Sequence, residues 1–151
     1  MKNQLAAICM SLLLEVSLLY QPAWGGIDGA EGEWNQPHRV VLHLNSDDEK
    51  VQRGVLNNIR HLYQELGPQN LFVELVVHGP GLPILIKTRT AFAHELTDLK
   101  QHYSVSYTAC SNTMKSLKVT KEDLISEVGE TVPAMVRLME RQEQGWVYIK
   151  P

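Results

Sequence analysis

The sequence predicts one α/β domain, a three-layer arrangement around a mainly parallel five-stranded sheet. Three observations lead there. Short apolar, β-branched runs alternate with amphipathic helical stretches from His38 to the C-terminus, the order that crossover connections between parallel strands require. The segment Leu71-Phe72-Val73-Glu74-Leu75-Val76-Val77-His78 is almost continuously apolar, as expected of a central strand covered on both faces. A hydrophobic fraction of 44% and a charged fraction of 21% over 151 residues describe an ordinary globular chain with enough length for one core.

The elements follow in order. Residues 39–44 (RVVLHL) make a strand by composition and length. Ser46-Asp47-Asp48-Glu49 has the form of a capping box, with Ser46 as the expected N-cap. Val51, Val55, Leu56, Ile59, Leu62, Tyr63 and Leu66 then repeat at helical intervals until Gly67-Pro68 stops the helix. The strand 71–78 comes next, and Gly79-Pro80-Gly81 turns the chain. Residues 82–86 are too short to assign by period, with a helical turn as the expectation. Thr90 is the expected cap of a helix whose face is Phe92, Leu96, Leu99 and Tyr103. The third strand, 105–110, runs into a short helix from about Asn112 to Leu117. Thr120-Lys121-Glu122-Asp123 resembles a second capping box on a single turn, and 125–128 reads as a brief fourth strand. Thr131 and Pro133 mark a helix start. Met135, Leu138 and Met139 give that helix its apolar face, and residues 146–149 form the last strand after Gly145.

The N-terminus is organised differently. Lys2, an apolar run over 5–14, a second over 16–20 after Glu15, and small residues at Ala23 and Gly25 fit a secretory signal over residues 1–25. The run is too short and interrupted for a membrane span, so the mature chain is expected to have none. Residues 26–37 (GIDGAEGEWNQP) read as a flexible arm, and the domain is expected over 38–151. Export, to the periplasm, is the expectation; a cytoplasmic protein with a mistaken start codon is the alternative. A net charge of −3 without a basic patch argues against nucleic acid as a partner.

With the leader removed, Cys110 is the single cysteine that remains. It stands where the third strand meets a polar Ser111-Asn112 pair suited to starting a helix. Backbone N–H groups and the helix dipole at such a junction favour a thiolate. The plain alternative is a buried, inert cysteine packed as a small hydrophobe.

Ligands of open α/β sheets bind outside the carboxyl ends of the strands. Those ends deliver Asn45, Ser46 and Asp47; His78, Gly79 and Gly81; Cys110, Ser111 and Asn112; and Gly129, Glu130 and Thr131. The candidate catalytic pair is Cys110 with His78, the imidazole at the end of the neighbouring strand. His78 bonded only to the next turn is the competing reading. Asn45, Gly79, Ser111 and Asn112 are the candidate ligand-binding residues. His43, inside the first strand, reads as structural. The other histidines show no metal-ligand spacing, and Gly79-Pro80-Gly81 is not a dinucleotide fingerprint, so neither a metal nor an organic cofactor is expected. Met135 and Met139 read as core or subunit-interface packing, and Arg137 and Arg141 as facing solvent.

Val76-Val77-His78-Gly79, Val105-Ser106-Tyr107-Thr108-Ala109-Cys110, Val132-Pro133-Ala134-Met135-Val136 and the closing Gly145-Trp146-Val147-Tyr148 resemble the DsrE/DsrF-like family across the whole of 38–151. The resemblance implies a flavodoxin-like sheet and assembly into trimers or hexamers. It also implies that Cys110 matches the cysteine on which relay members accept sulfur as a persulfide. The function expected is a sulfur carrier or sulfurtransferase that passes sulfane sulfur from a donor to a partner thiol. The alternative, from a different class, is a non-catalytic oligomeric binding module that holds a small ligand or peptide at the strand-end crevice.

Overall fold

The computed structural model describes residues 36–103 and 105–151. The expected leader and nearly all of the arm lie outside the described residues. Five strands, β1 (His38–Leu44), β2 (Leu71–Val77), β3 (Val105–Cys110), β4 (Val128–Val132) and β5 (Val147–Ile149), lie in the order β4-β3-β2-β1-β5. Every neighbouring pair is parallel. This is the single three-layer α/β domain that the alternation predicts.

The chain steps from β1 to β4 in one direction, then returns to the far side of β1. Right-handed crossovers put the helices of the outward run on one face and the returning helix on the other. The buried side chains divide accordingly. Val40, Leu42, Leu75, Val77, Tyr107 and their same-face neighbours pack on α1 (Glu49–Leu66) and α2 (Ala93–His102) in a large apolar core. Val41, Val76 and Cys110 face α4 (Ala134–Glu143), which contributes only Ala134 and Leu138 to a much smaller cluster. One ten-residue helix covers that face.

The local rules hold in most places and shift in a few. The N-cap of α1 is Asp48, whose carboxylate accepts from the Lys50 amide at 2.7 Å; the expected cap, Ser46, instead accepts from the Asp48 amide at 3.2 Å. Residues Gly79–Leu85 form a 3₁₀ segment, as the ambiguous stretch suggested. Gly81 within it is required by space, because a Cβ there would lie 3.0 Å from the Leu44 carbonyl oxygen. The second capping box, Thr120 with Asp123, is present on one 3₁₀ turn. The fourth strand starts at Val128 rather than 125, because Leu124 bridges Ile86 and the Ile125 amide is bound to the Leu85 carbonyl.

The largest correction concerns α4. Arg137 and Arg141 do not face solvent. Both reach Glu74, which is 1% exposed at the centre of β2 on the α4 face, while Met135 (56%) and Met139 (52%) are exposed. A buried carboxylate demands cations and donors. The helix has turned its arginines inward to meet that demand, which leaves both methionines outside the core of the described chain.

Candidate functional site

Cys110 ends β3 and is itself the N-cap of α3 (Ser111–Leu117), one residue earlier than the polar pair suggested. Its extended backbone (φ −69°, ψ 113°) precedes the helical turn, and its side chain makes no capping hydrogen bond to that turn. The thiol is free and 6% exposed. The Ala134 amide at the start of α4 donates to Sγ at 3.5 Å. Burial pushes the thiol up, yet the Thr113 hydroxyl and the Ala134, Thr113 and Asn112 amides more than offset it, holding Cys110 below the ordinary thiol range.

His78 continues β2 by one residue in extended form, its amide bound to the Leu44 carbonyl at 3.1 Å. Val77 pairs with Ala109, so the next step in that register sets His78 beside Cys110. Strand alternation sends both side chains to the α4 face. On the other side, His78 Nε2 lies 2.6 Å from His43 Nε2, with the two rings stacked at 4.7 Å. His43 Nδ1 in turn lies 2.7 Å from the Tyr148 hydroxyl. Burial is the first cause that lowers both imidazoles, His43 to about 4; the His78 and Lys150 charges lower His43 further, and Lys150 also lowers His78.

Sequence reasoning placed His43 in the scaffold and did not single out Tyr148. Their meeting depends on β5 returning beside β1, with Tyr148 opposite Val41. Tyr148 of β5, His43 of β1, His78 just past β2 and Cys110 of β3 therefore share the α4 face.

The other expected residues divide between two places. Gly79 (φ 54°) donates its amide to Thr113 Oγ1 at 2.9 Å, which ties the end of β2 to α3. Gly79 and Asn112 also line a groove of about 530 Å³, together with Asp47, Arg89, Thr113 and Ser116. Ser111 opens α3, and Asn45 lies under the Gly81 turn, its Cα 3.2 Å from where a Gly81 Cβ would stand; neither lines the groove. The groove and the thiol share Thr113, which touches both. Among the described residues, no group of three or more His, Cys, Asp or Glu side chains could hold a metal ion. No described helix is long and apolar enough to cross a membrane.

Behind this edge, Glu74 accepts from Thr108 Oγ1 at 2.6 Å and pairs with Arg137 and Arg141. Arg137 also bridges Glu130 of β4, and Arg141 stacks over Trp146 at 4.5 Å. This network fixes α4 against β2, β3 and β4.

A family model described as DsrE/DsrF-like matches residues 41–151. The chain is similar to the solved structure of MTH1491 from Methanobacterium thermoautotrophicum, a protein of unknown function. The TM-score is 0.70 and the identity 29%, over 76% of this chain and 99% of that one. No curated protein matches the chain.

Proposed function

The chain belongs to the DsrE/DsrF-like family, and from that premise we propose that it carries sulfane sulfur on Cys110. The observation behind this reading is the Ala134 amide that donates to the buried Cys110 sulfur at 3.5 Å, with Thr113 and Asn112 beside it holding the thiol below its ordinary range despite burial. The thiolate attacks the outer sulfur of a persulfide donor. The donor's S–S bond breaks, its thiolate departs, and Cys110 holds a persulfide. An acceptor thiolate then attacks the outer sulfur and returns Cys110 to its thiolate. No net oxidation occurs, so no redox cofactor is needed.

The same proposal includes homo-oligomers, export through the leader at 1–25, and donor and acceptor partner proteins. The exposed side chains Met135, Val136 and Met139 on α4, with Val147, Tyr148 and Ile149 on the edge strand β5, favour assembly through that side. A second reading, a non-catalytic module that binds a small ligand, is favoured by the groove of about 530 Å³ at the strand ends.

Mass spectrometry separates the two. In a Cys9→Ser background, Cys110 is the sole thiol. Exposure to a low-molecular-weight persulfide should add one sulfur to this protein and none to the further Cys110→Ser variant. A protein that gains no sulfur, while a ligand protects the groove residues from hydrogen exchange, supports the binding module instead. Fractionation of cells tests export.

A further inference from the structure

Tyr148, His43 and His78 form a continuous chain of contacts at 2.7 and 2.6 Å, and the register that pairs Val77 with Ala109 puts His78 on the strand position next to Cys110. Two imidazole nitrogens at 2.6 Å must share one proton: two lone pairs would repel, and so would two N–H groups. The proton's place fixes every other hydrogen in the chain. If His78 Nε2 donates to His43, then His43 Nδ1 donates to the Tyr148 oxygen and His78 Nδ1 is a free base. If the Tyr148 hydroxyl donates to His43 Nδ1, then His43 Nε2 donates to His78, and His78 Nδ1 bears a proton. The two arrangements interconvert by tautomerism alone, so neither imidazole need become charged.

We propose that Tyr148, His43 and His78 are a neutral proton relay serving Cys110, which acts as general base and then as general acid for exchange at its sulfur. The inference rests on Cys110 being a working nucleophile; it does not require the attacked sulfur to be a sulfane sulfur. The first step moves the thiol proton to His78 Nδ1, the His78 Nε2 proton to His43, the His43 Nδ1 proton to Tyr148, and the Tyr148 proton to water. The thiolate then attacks the sulfur–sulfur bond of its partner. The leaving thiolate takes the proton from His78 Nδ1, and the relay resets by drawing one proton from water through Tyr148. Nothing is left over: one S–H is consumed and one is formed.

The surroundings suit this use. Burial disfavours an imidazolium at both rings, which leaves tautomerism as the accessible route. Tyr148 and His43 line a hollow of about 460 Å³ with Met135, Leu138, Met139 and Gln142, which gives the relay its outlet. The charged groups around it are Glu143 from α4, which lines the same hollow, and Lys150 beyond β5, which acts on both imidazoles. A purely structural histidine pair would explain the contacts, but not their alignment on the face and at the strand ends where the single described thiol lies.

Leaving-group dependence tests the relay. In the Cys9→Ser background, Cys110 is reacted with an aromatic disulfide, whose thiolate leaves as a stable anion, and with bis(hydroxyethyl) disulfide, whose thiolate needs a proton. The readout is the ratio of the alkyl to the aromatic rate. His43→Gln and Tyr148→Phe should lower that ratio on the order of a hundredfold, the lower end of what proton transfer by a positioned group contributes. An unchanged ratio in both variants, with both rates falling in parallel or not at all, would overturn the relay. So would a Cys110 unreactive toward both disulfides. A shifted ratio in a protein that takes up no sulfane sulfur keeps the relay and removes the sulfur-carrier reading.

Discussion

His43 makes stability depend on pH in a way that can be worked out in advance. Its folded pKa is about 4 against an ordinary 6.5. Below 6.5 the unfolded chain binds a proton that the folded chain refuses, so unfolding is favoured as pH falls. The stabilisation is fully present above the unfolded value and is lost as pH falls toward the folded one. For this single group, linkage gives a loss of about 2 kcal/mol between pH 7 and pH 5, and about 3 kcal/mol in all. His78 is lowered as well and adds in the same direction. Urea denaturation of the wild type and of His43→Gln at pH 7 and pH 5 isolates the effect. Carboxylates held low by their own hydrogen bonds, such as Asp123 and Glu127, titrate in both proteins and cancel in the difference. The wild type should lose about 2 kcal/mol more than the variant over this interval. Equal losses in the two proteins would show that His43 accepts a proton freely in the folded state, and the desolvated neutral pair would be wrong.

Three further outcomes follow from the same geometry. Thr113→Val removes a hydroxyl that bonds the thiol and accepts from Gly79; alkylation of Cys110 at neutral pH should slow about tenfold, and Thr113→Ser should restore it. Glu74→Ala leaves Arg137 and Arg141 without their buried partner and should cost about 3 to 5 kcal/mol by chemical denaturation; a loss below about 1 kcal/mol would place the arginines in solvent after all. If α4 and β5 form a subunit contact, Met139→Lys should reduce the mass measured by light scattering, and a wild type already monomeric would remove that interface.

The elements that were legible in the sequence are those whose causes are local. The 3.6-residue spacing from Val51 to Leu66 and the two-sided apolar run of β2 each follow from neighbours within a few turns. Cys110 was legible for the same reason, since a strand and a helix meet there within eight residues. What escaped is long-range. Tyr148 and His43 are 105 residues apart and meet through strand order; Arg141 and Glu74 are 67 apart. A signal was present in both cases. His43 and Glu74 are polar residues at positions of apolar strands that alternation assigns to one face. A carboxylate and an imidazole on one face of a central sheet call for partners on whatever covers it. Only α4 and β5 were left in the chain to supply them.

The two faces of the sheet therefore divide the work. The α1–α2 face holds the larger apolar core of the domain. The α4 face gives up apolar burial for Glu74, Thr108, Arg137 and His43, an exchange that a fold optimised for stability alone would avoid, because buried ion pairs seldom outperform apolar packing. That network does hold α4 in one position. Its Arg137 ties the helix to β2 and β4, and the same helix begins at Ala134, whose amide reaches the Cys110 sulfur. Placement of that amide to within a few tenths of an ångström needs a helix that cannot slide. Directional ion pairs fix position in a way that an apolar stripe with exposed methionines does not. The polar face is thus the means by which a thinly covered sheet presents a buried thiol with its hydrogen-bond donors already in place.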